Sequence, residues 1–133
     1  MLPSAGPRCT WFTPGSMASP ATGGRPRETV FDLPLFLDGM PLDGPGAAEL
    51  LDPQFARDQA LFRVGVEADD RLRPLGALGR PIFSNLHVAG SIQADWDYAA
   101  GQGGLGAALA SGYWAGREAA AAIGSMRGTS DNG

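Results

Sequence analysis

One cysteine, Cys9, and one histidine, His87, are all the chain offers of the two side chains most used by transition metals. A single cysteine excludes an internal disulfide and fits a reducing compartment. One cysteine and one histidine together exclude a Cys/His zinc site, and no metal is expected. Charge is also scarce, at 18% of residues, and the net charge is −4 without any Lys/Arg cluster, which argues against nucleic acid as a partner. Residues 1–20 hold no apolar h-region, so no secretory leader is read there. The longest apolar stretch, 103–123, is broken by Arg117 and Glu118 and is too rich in Gly and Ala to read as a membrane span. No internal repeat is present.

What is abundant is glycine (20) and proline (11) in 133 residues, with 44% hydrophobic residues. That length holds one domain, and that much Gly and Pro predicts that part of it is irregular. Residues 1–24 carry four prolines among Gly and Ser with no apolar period and are read as a disordered arm. A start codon inside a longer reading frame would produce such a segment. Thr29-Val-Phe-Asp-Leu33 is read as a strand start, kept off a central position by Pro34. Residues 47–58 have room for a helical turn or two, interrupted by Pro53. The alternation in 61–67 predicts a strand, Asp69-Asp70 a turn, and 71–74 a returning strand, together a hairpin. An apolar run over 82–89 predicts a buried strand, 91–102 an excursion, and 103–123 a helix ended by Gly124. The tail, 125–133, reads as disordered.

The run Gly103-Gly-Leu-Gly-Ala-Ala-Leu-Ala-Ser-Gly-Tyr-Trp-Ala-Gly-Arg117 is the most informative stretch. Gly104, Ala108, Gly112 and Gly116 recur every four residues and stack on one helix face. Each Gly costs about 1 kcal/mol against Ala in a helix interior, so such a face predicts close approach by another backbone or by a ligand. Gly101-Gln-Gly-Gly-Leu-Gly106 matches G-x-G-x-x-G letter for letter. Yet the preceding strand ends more than ten residues earlier, and no βαβ unit with an acidic residue follows. Two readings stay open: a glycine-rich turn feeding a packed helix, or a phosphate or flavin contact at a helix N-terminus.

Other candidates have plainer readings. Asp95-Trp-Asp97-Tyr98 reads as a solvated loop, or as carboxylates facing a sugar hydroxyl or substrate. His87, inside the apolar run, reads as a core or edge histidine, since no Ser or Cys nucleophile accompanies it. The acidic residues of 67–70 read as a solvated hairpin tip. Cys9 has nothing to activate it. No catalytic residue is assigned.

Phe62-Arg-Val-Gly-Val-Glu-Ala-Asp-Asp-Arg-Leu-Arg-Pro74, Asn85-Leu-His-Val-Ala-Gly-Ser91, Asp97 and Gly104-Leu-Gly-Ala-Ala-Leu-Ala-Ser-Gly-Tyr-Trp-Ala-Gly116 resemble, in order and spacing, the C-terminal end of the B-type subunits of anaerobic glycerol-3-phosphate dehydrogenases. The wider resemblance is to the closing segment of flavoproteins with the fumarate-reductase type of FAD fold, over roughly residues 27–122. It implies an α/β fold: the C-terminal portion only of an FAD/NAD(P)-binding, Rossmann-like domain, spanning 25–124. It implies a flavin, FMN or FAD, with Gly90, Ser91, Asp97, Gly103, Gly104, Leu105 and Gly106 as its contacts. Ser91 stands where the class often has an acidic residue that meets ribityl or sugar hydroxyls, and Asp97 matches an Asp of the family pattern. The Gly104-Leu105-Gly106 backbone would face the ring carbonyl. A helix N-terminus stabilises the negative charge that builds on the N1–C2=O edge of a reduced flavin.

The resemblance further implies electron transfer from glycerol 3-phosphate through flavin towards a quinone. It implies a separate catalytic subunit and a membrane-anchor subunit as partners, and a cytoplasmic chain peripheral to the inner face of the membrane. The family's N-terminal dinucleotide-binding half is missing from these 133 residues. The expectation is therefore a truncated product or one part of a split protein, inactive alone, with its helix face and strand edge uncovered. Two alternatives remain. One is a non-catalytic interaction module docking on a separate flavoprotein. The other is a different FAD-fold oxidoreductase, such as a fumarate-reductase or ketosteroid-dehydrogenase relative, which the Ser91 and Asp97 pattern disfavours.

Overall fold

The computed structural model describes residues 17–18, 26–42, 50, 52–54, 56–96 and 104–128. Strand β1 (Met17–Ala18) pairs antiparallel with β2 (Arg27–Glu28), Met17 opposite Glu28. Strand β3 (Phe36–Leu37) pairs antiparallel with β4 (Met40–Pro41). Between them Asp38 (φ 50°) and Gly39 (φ 76°) both take left-handed backbone, the conformation a two-residue hairpin turn demands and Asp-Gly supplies. A 3-10 turn at Ala60–Arg63, a second at Gly90–Ile92 and helix α1 (Gly104–Gly128) follow.

The body is knit by single bridges more than by ladders. Residues 64–66 lie between β3 and the 92–94 segment. Phe36 and Gly65 exchange both backbone hydrogen bonds, at 2.7 and 3.1 Å, while the Val66 N–H donates to the Ile92 carbonyl (2.7 Å) and its carbonyl accepts from Ala94 (3.1 Å). The passage is narrow. A Cβ on Gly65 would stand 2.6 Å from backbone atoms of Ile92, Gln93 and Ala94, so no side chain fits. Above this crossing sits the core: Leu33 and Val66, both with no exposed surface, with Leu35, Leu42, Leu50, Leu86 and Val88. Phe31 and Phe83 close one side edge-to-face, centroids 5.9 Å apart.

Several local expectations change. Residues 29–31 are a turn, not a strand, because the buried Glu28 carboxylate accepts the N–H groups of Val30 (2.7 Å) and Phe31 (2.8 Å) and reverses the chain. The alternation in 61–67 begins in the 3-10 turn and becomes extended only after Arg63. The hairpin then follows, Ala68 bridged to Pro74 and Leu75 donating to Glu67. Residues 86–89 are extended, with Leu86 and Val88 buried in alternation, but they join no ladder among the described residues. The Val88 N–H donates to the Leu72 carbonyl at 2.8 Å. Two residues of the arm, Met17 and Ala18, are strand-paired. The helix does not stop at Gly124 but runs to Gly128, into the segment read as tail. A lone glycine costs helix propensity without breaking the hydrogen-bond ladder.

Helix α1 is clasped at three places. Ser111 meets the Gly90–Ile92 turn, the Trp114 indole N–H donates to the Asp70 carbonyl (3.1 Å), and Glu118 faces Arg71 at 3.9 Å. The Arg117 guanidinium lies 5.7 Å from the Trp114 ring centroid. Among the described residues no helix is long and apolar enough to cross a membrane.

Two glycine substitutions have opposite expected outcomes in denaturant unfolding. Gly65→Ala forces backbone against backbone and costs about 3 kcal/mol or more. Gly112→Ala, where an added Cβ meets nothing within 4 Å, gains about 0.5–1 kcal/mol from helix propensity.

Candidate functional site

The extended residues 86–89 deliver Gly90 into the site. Ala89 is fully extended (φ −149°, ψ 155°) and Gly90 then turns to φ 74°, a left-handed conformation that favours glycine. The Gln93 N–H closes the turn on the Gly90 carbonyl at 3.1 Å. The Gly90 N–H donates to Ser111 Oγ at 2.9 Å, and that hydroxyl donates its own proton to the Ala107 carbonyl at 2.8 Å. Ser111 is buried, and these two bonds satisfy both its hydroxyl and the Gly90 N–H without water. Gly90 and Ser91 are thereby seated on the second turn of α1, with the Ala108 methyl 3.9 Å from where a Gly90 side chain would begin.

Gly104, Leu105 and Gly106 form the first turn, about 6 Å along the axis from Ala108. All three are exposed or half-exposed, and an added Cβ at Gly104 or Gly106 would meet nothing within 4 Å. The first turn has no acidic side chain. N–H groups in the first turn of a helix lack intrahelical acceptors and carry the positive end of the dipole. Ser91 is half-buried in the neighbouring turn and brings a hydroxyl. An exposed helix start of this kind, with a hydroxyl in the neighbouring turn, is able to accept an anionic or electron-rich group.

The structure thus brings Gly90, Ser91, Gly104, Leu105 and Gly106 to one end of α1. Asp97 and Gly103, with the Gly101-Gln102 start of the glycine motif, lie outside the described residues. The close-approach explanation for the small-residue face is corrected within this chain. Among the described residues, added Cβ atoms at Gly104, Gly112 and Gly116 meet nothing within 4 Å, and of that face Ala108 lies against the body, 3.9 Å from a Cβ built on Gly90 and beside the buried Ser111.

The remaining candidates hold the scaffold. Asp95, at φ 65°, accepts the Asp38 N–H at 2.7 Å beside the Arg63–Asp38 ion pair, and so pins the β3–β4 turn. The His87 Nδ1 lies 2.8 Å from the Arg71 carbonyl, which can only accept, so Nδ1 carries the proton. Its Nε2 is buried without a hydrogen-bond partner among the described residues. Asp69 is not a solvated tip residue. It accepts the Arg71 and Arg73 N–H groups and holds the Arg73 guanidinium at 2.6 Å. Burial by itself would raise the Asp69 carboxyl, but the Arg73 and Arg71 hydrogen bonds outweigh it and hold it below the ordinary 3.8. No group of three or more His, Cys, Asp or Glu stands ready for a metal among the described residues.

Ser111 is the residue sequence reasoning missed. Its only signal was a hydroxyl alone among Ala and Gly, four residues after Ala107, where a helical serine reaches back to the i−4 carbonyl.

Comparison with known proteins adds a partial likeness. Proteins described as the probable B-type subunit of anaerobic glycerol-3-phosphate dehydrogenase, in two strains of Halobacterium salinarum, are 41% identical to this chain over 66 residues. That is 50% of this chain and 16% of theirs, so the chain spans a small fraction of the length of the curated relatives it matches. No family model matches, and no solved structure matches.

Ser111→Ala removes the acceptor of the Gly90 N–H. It is expected to cost about 1 kcal/mol and to speed hydrogen exchange at the Gly90 amide more than at Val88. The depressed Asp69 carboxyl makes a stabilising contribution that is full above 3.8 and drains away as pH falls through its lower folded value. Unfolding measured from about pH 6 to about pH 2 should show this acid loss, and Asp69→Asn should flatten that part of the curve.

Proposed function

We propose that this chain supplies one wall of a flavin pocket in a flavin-dependent dehydrogenase assembly of the anaerobic glycerol-3-phosphate dehydrogenase kind, carrying electrons from glycerol 3-phosphate towards a quinone. The fold it belongs to on this reading is the C-terminal portion of a Rossmann-like FAD domain. The observation that carries the proposal is the Gly90 N–H to Ser111 bond at 2.9 Å, which seats the Gly90–Ile92 turn on α1 close to its free N-terminus. The partial identity to the halobacterial dehydrogenase proteins supports the choice of reaction.

In this role the chain's own residues bind and orient. The first-turn N–H groups of Gly104, Leu105 and Gly106 would hold the electron-rich edge of the ring and favour negative charge there. The Ser91 hydroxyl would hold a ribityl hydroxyl, and the exposed Leu105 would give apolar cover beside the ring. A bound flavin would supply the two-electron chemistry. The other walls, the substrate contacts and the membrane attachment come from the catalytic and anchor subunits or from an N-terminal half.

The exposed apolar side of α1 favours a second reading, a non-catalytic module docking on a separate flavoprotein. One experiment separates the two. FMN is titrated into the full chain, with fluorescence and amide hydrogen exchange as readouts. A pocket wall gives weak saturable quenching, with a dissociation constant of about 0.1–1 mM, and protection over 90–92 and 104–108. Gly90→Val, which opposes the left-handed backbone, should abolish both. Unchanged exchange at those amides in millimolar FMN defeats the wall reading and leaves the docking module.

A further inference from the structure

Four non-glycine residues among those described take left-handed backbone, and three of them, Asp32, Asp38 and Asp95, are of a type that tolerates it. The fourth is Leu72, at φ 60°. It ends a three-residue hairpin loop, 70–72, in which the Leu72 N–H donates to the Asp69 carbonyl (2.9 Å) and the Asp69 N–H to the Arg73 carbonyl (3.0 Å). That place in such a loop favours glycine, which this glycine-rich chain does not put there. The Leu72 side chain is half-buried and lies outside the cluster packed on the core, so core burial does not offset the strain.

The strained loop has an outward use. Asp69 takes up its N–H groups, the carboxylate accepting those of Arg71 and Arg73 at 3.0 and 2.9 Å. Its three successive carbonyls all reach other parts of the chain. Asp70 accepts the Trp114 indole N–H of α1 (3.1 Å), Arg71 the His87 ring N–H (2.8 Å), and Leu72 the Val88 N–H (2.8 Å). The helix and the 86–89 segment are joined a second time, through Gly90 and Ser111. The contacts close a ring that runs from loop to segment, Gly90, Ser111, helix and back to the loop. We infer that the 70–72 loop is a sprung coupler: it holds α1 and the 86–89 segment together only while Leu72 is left-handed, and relaxation of Leu72 opens the ring while the crossing at Gly65 stays closed. The planar peptide gives the reason. Returning Leu72 to ordinary backbone turns φ by more than about 100°, and the Arg71 and Leu72 carbonyls lie in the two peptide planes that this rotation separates. The loop then cannot keep the helix through Asp70 and the segment through Leu72 at once. Each link is a single hydrogen bond, so the ring opens in one step. The Gly90–Ser91 turn is seated on α1 only while the ring is closed, and the loop decides whether that end of the helix is assembled.

Native-state hydrogen exchange of the full chain tests this, with the Gly65 amide, bonded to Phe36, as the reference. Leu72→Gly relieves the strain, whereas Leu72→Ala removes the side chain and keeps the strain. The Gly variant should exchange at least about threefold more slowly than the Ala variant at both the Val88 amide and the Trp114 indole N–H. Equal or faster exchange in the Gly variant overturns the spring. Trp114→Phe removes the indole donor from α1, and it should speed the Val88 amide at least about threefold with Gly65 unchanged. An unmoved Val88 amide shows helix and segment opening separately, and a Val88 change matched at Gly65 shows only whole-chain unfolding. Either result overturns the coupler. None of these readouts needs flavin, so this inference and the flavin-pocket reading fall separately.

Discussion

The missing side chain of Gly65 holds this structure together. Three backbone segments cross where β3, residues 64–66 and residues 92–94 exchange hydrogen bonds, and a methyl group there would stand 2.6 Å from three backbone atoms. Part of what positions the candidate site passes through that crossing, while the Val88–Leu72 and Trp114–Asp70 bonds hold it from the hairpin side. The crossing fixes residues 92–94, which fix the Gly90–Ile92 turn, which receives the helix through Ser111. The hydrophobic core is small and sits directly on Val66, so burial and backbone pairing are satisfied by the same few residues. Regular strands are correspondingly short. Bridges of a single residue, spaced by prolines and glycines, take the place that ladders fill elsewhere.

The helix is attached by polar groups more than by apolar contact. Ser111, Trp114 and Glu118 each reach one backbone or side-chain partner on the body. Such clasps specify where a helix sits, and each contributes only about 1 kcal/mol. The apolar side chains that would anchor it more firmly, Leu105, Leu109, Tyr113 and Ile123, point away from the body. This division gives the helix two sides, one of small residues held to its own chain through Ser111, Trp114 and Glu118, the other apolar and exposed.

What the sequence revealed and what it hid follow from range. The Gly/Ala helix and the Asp69-Asp70 turn were legible because their signals are local: period, glycine spacing, turn residues. The strand expected at 29–33 is a turn and the one expected at 61–67 holds only after Arg63, because apolar alternation also arises when a turn places every second residue on a core. There the deciding interactions, the Glu28 carboxylate on two N–H groups and the close crossing at Gly65, are invisible as pattern. The Gly90, Ser91 and helix-start contacts were named from resemblance, and their adjacency depends on Ser111, a side chain that carries no motif. The expectation that the glycine face packs closely failed within this chain, since glycine records that space is needed without saying what fills it.

The uncovered side of α1 also sets a clock. In a cell, Leu105, Leu109, Tyr113 and Ile123 standing in water are the surface that chaperones hold and proteases degrade. Until something occupies that side it is the part of the folded chain most open to aggregation.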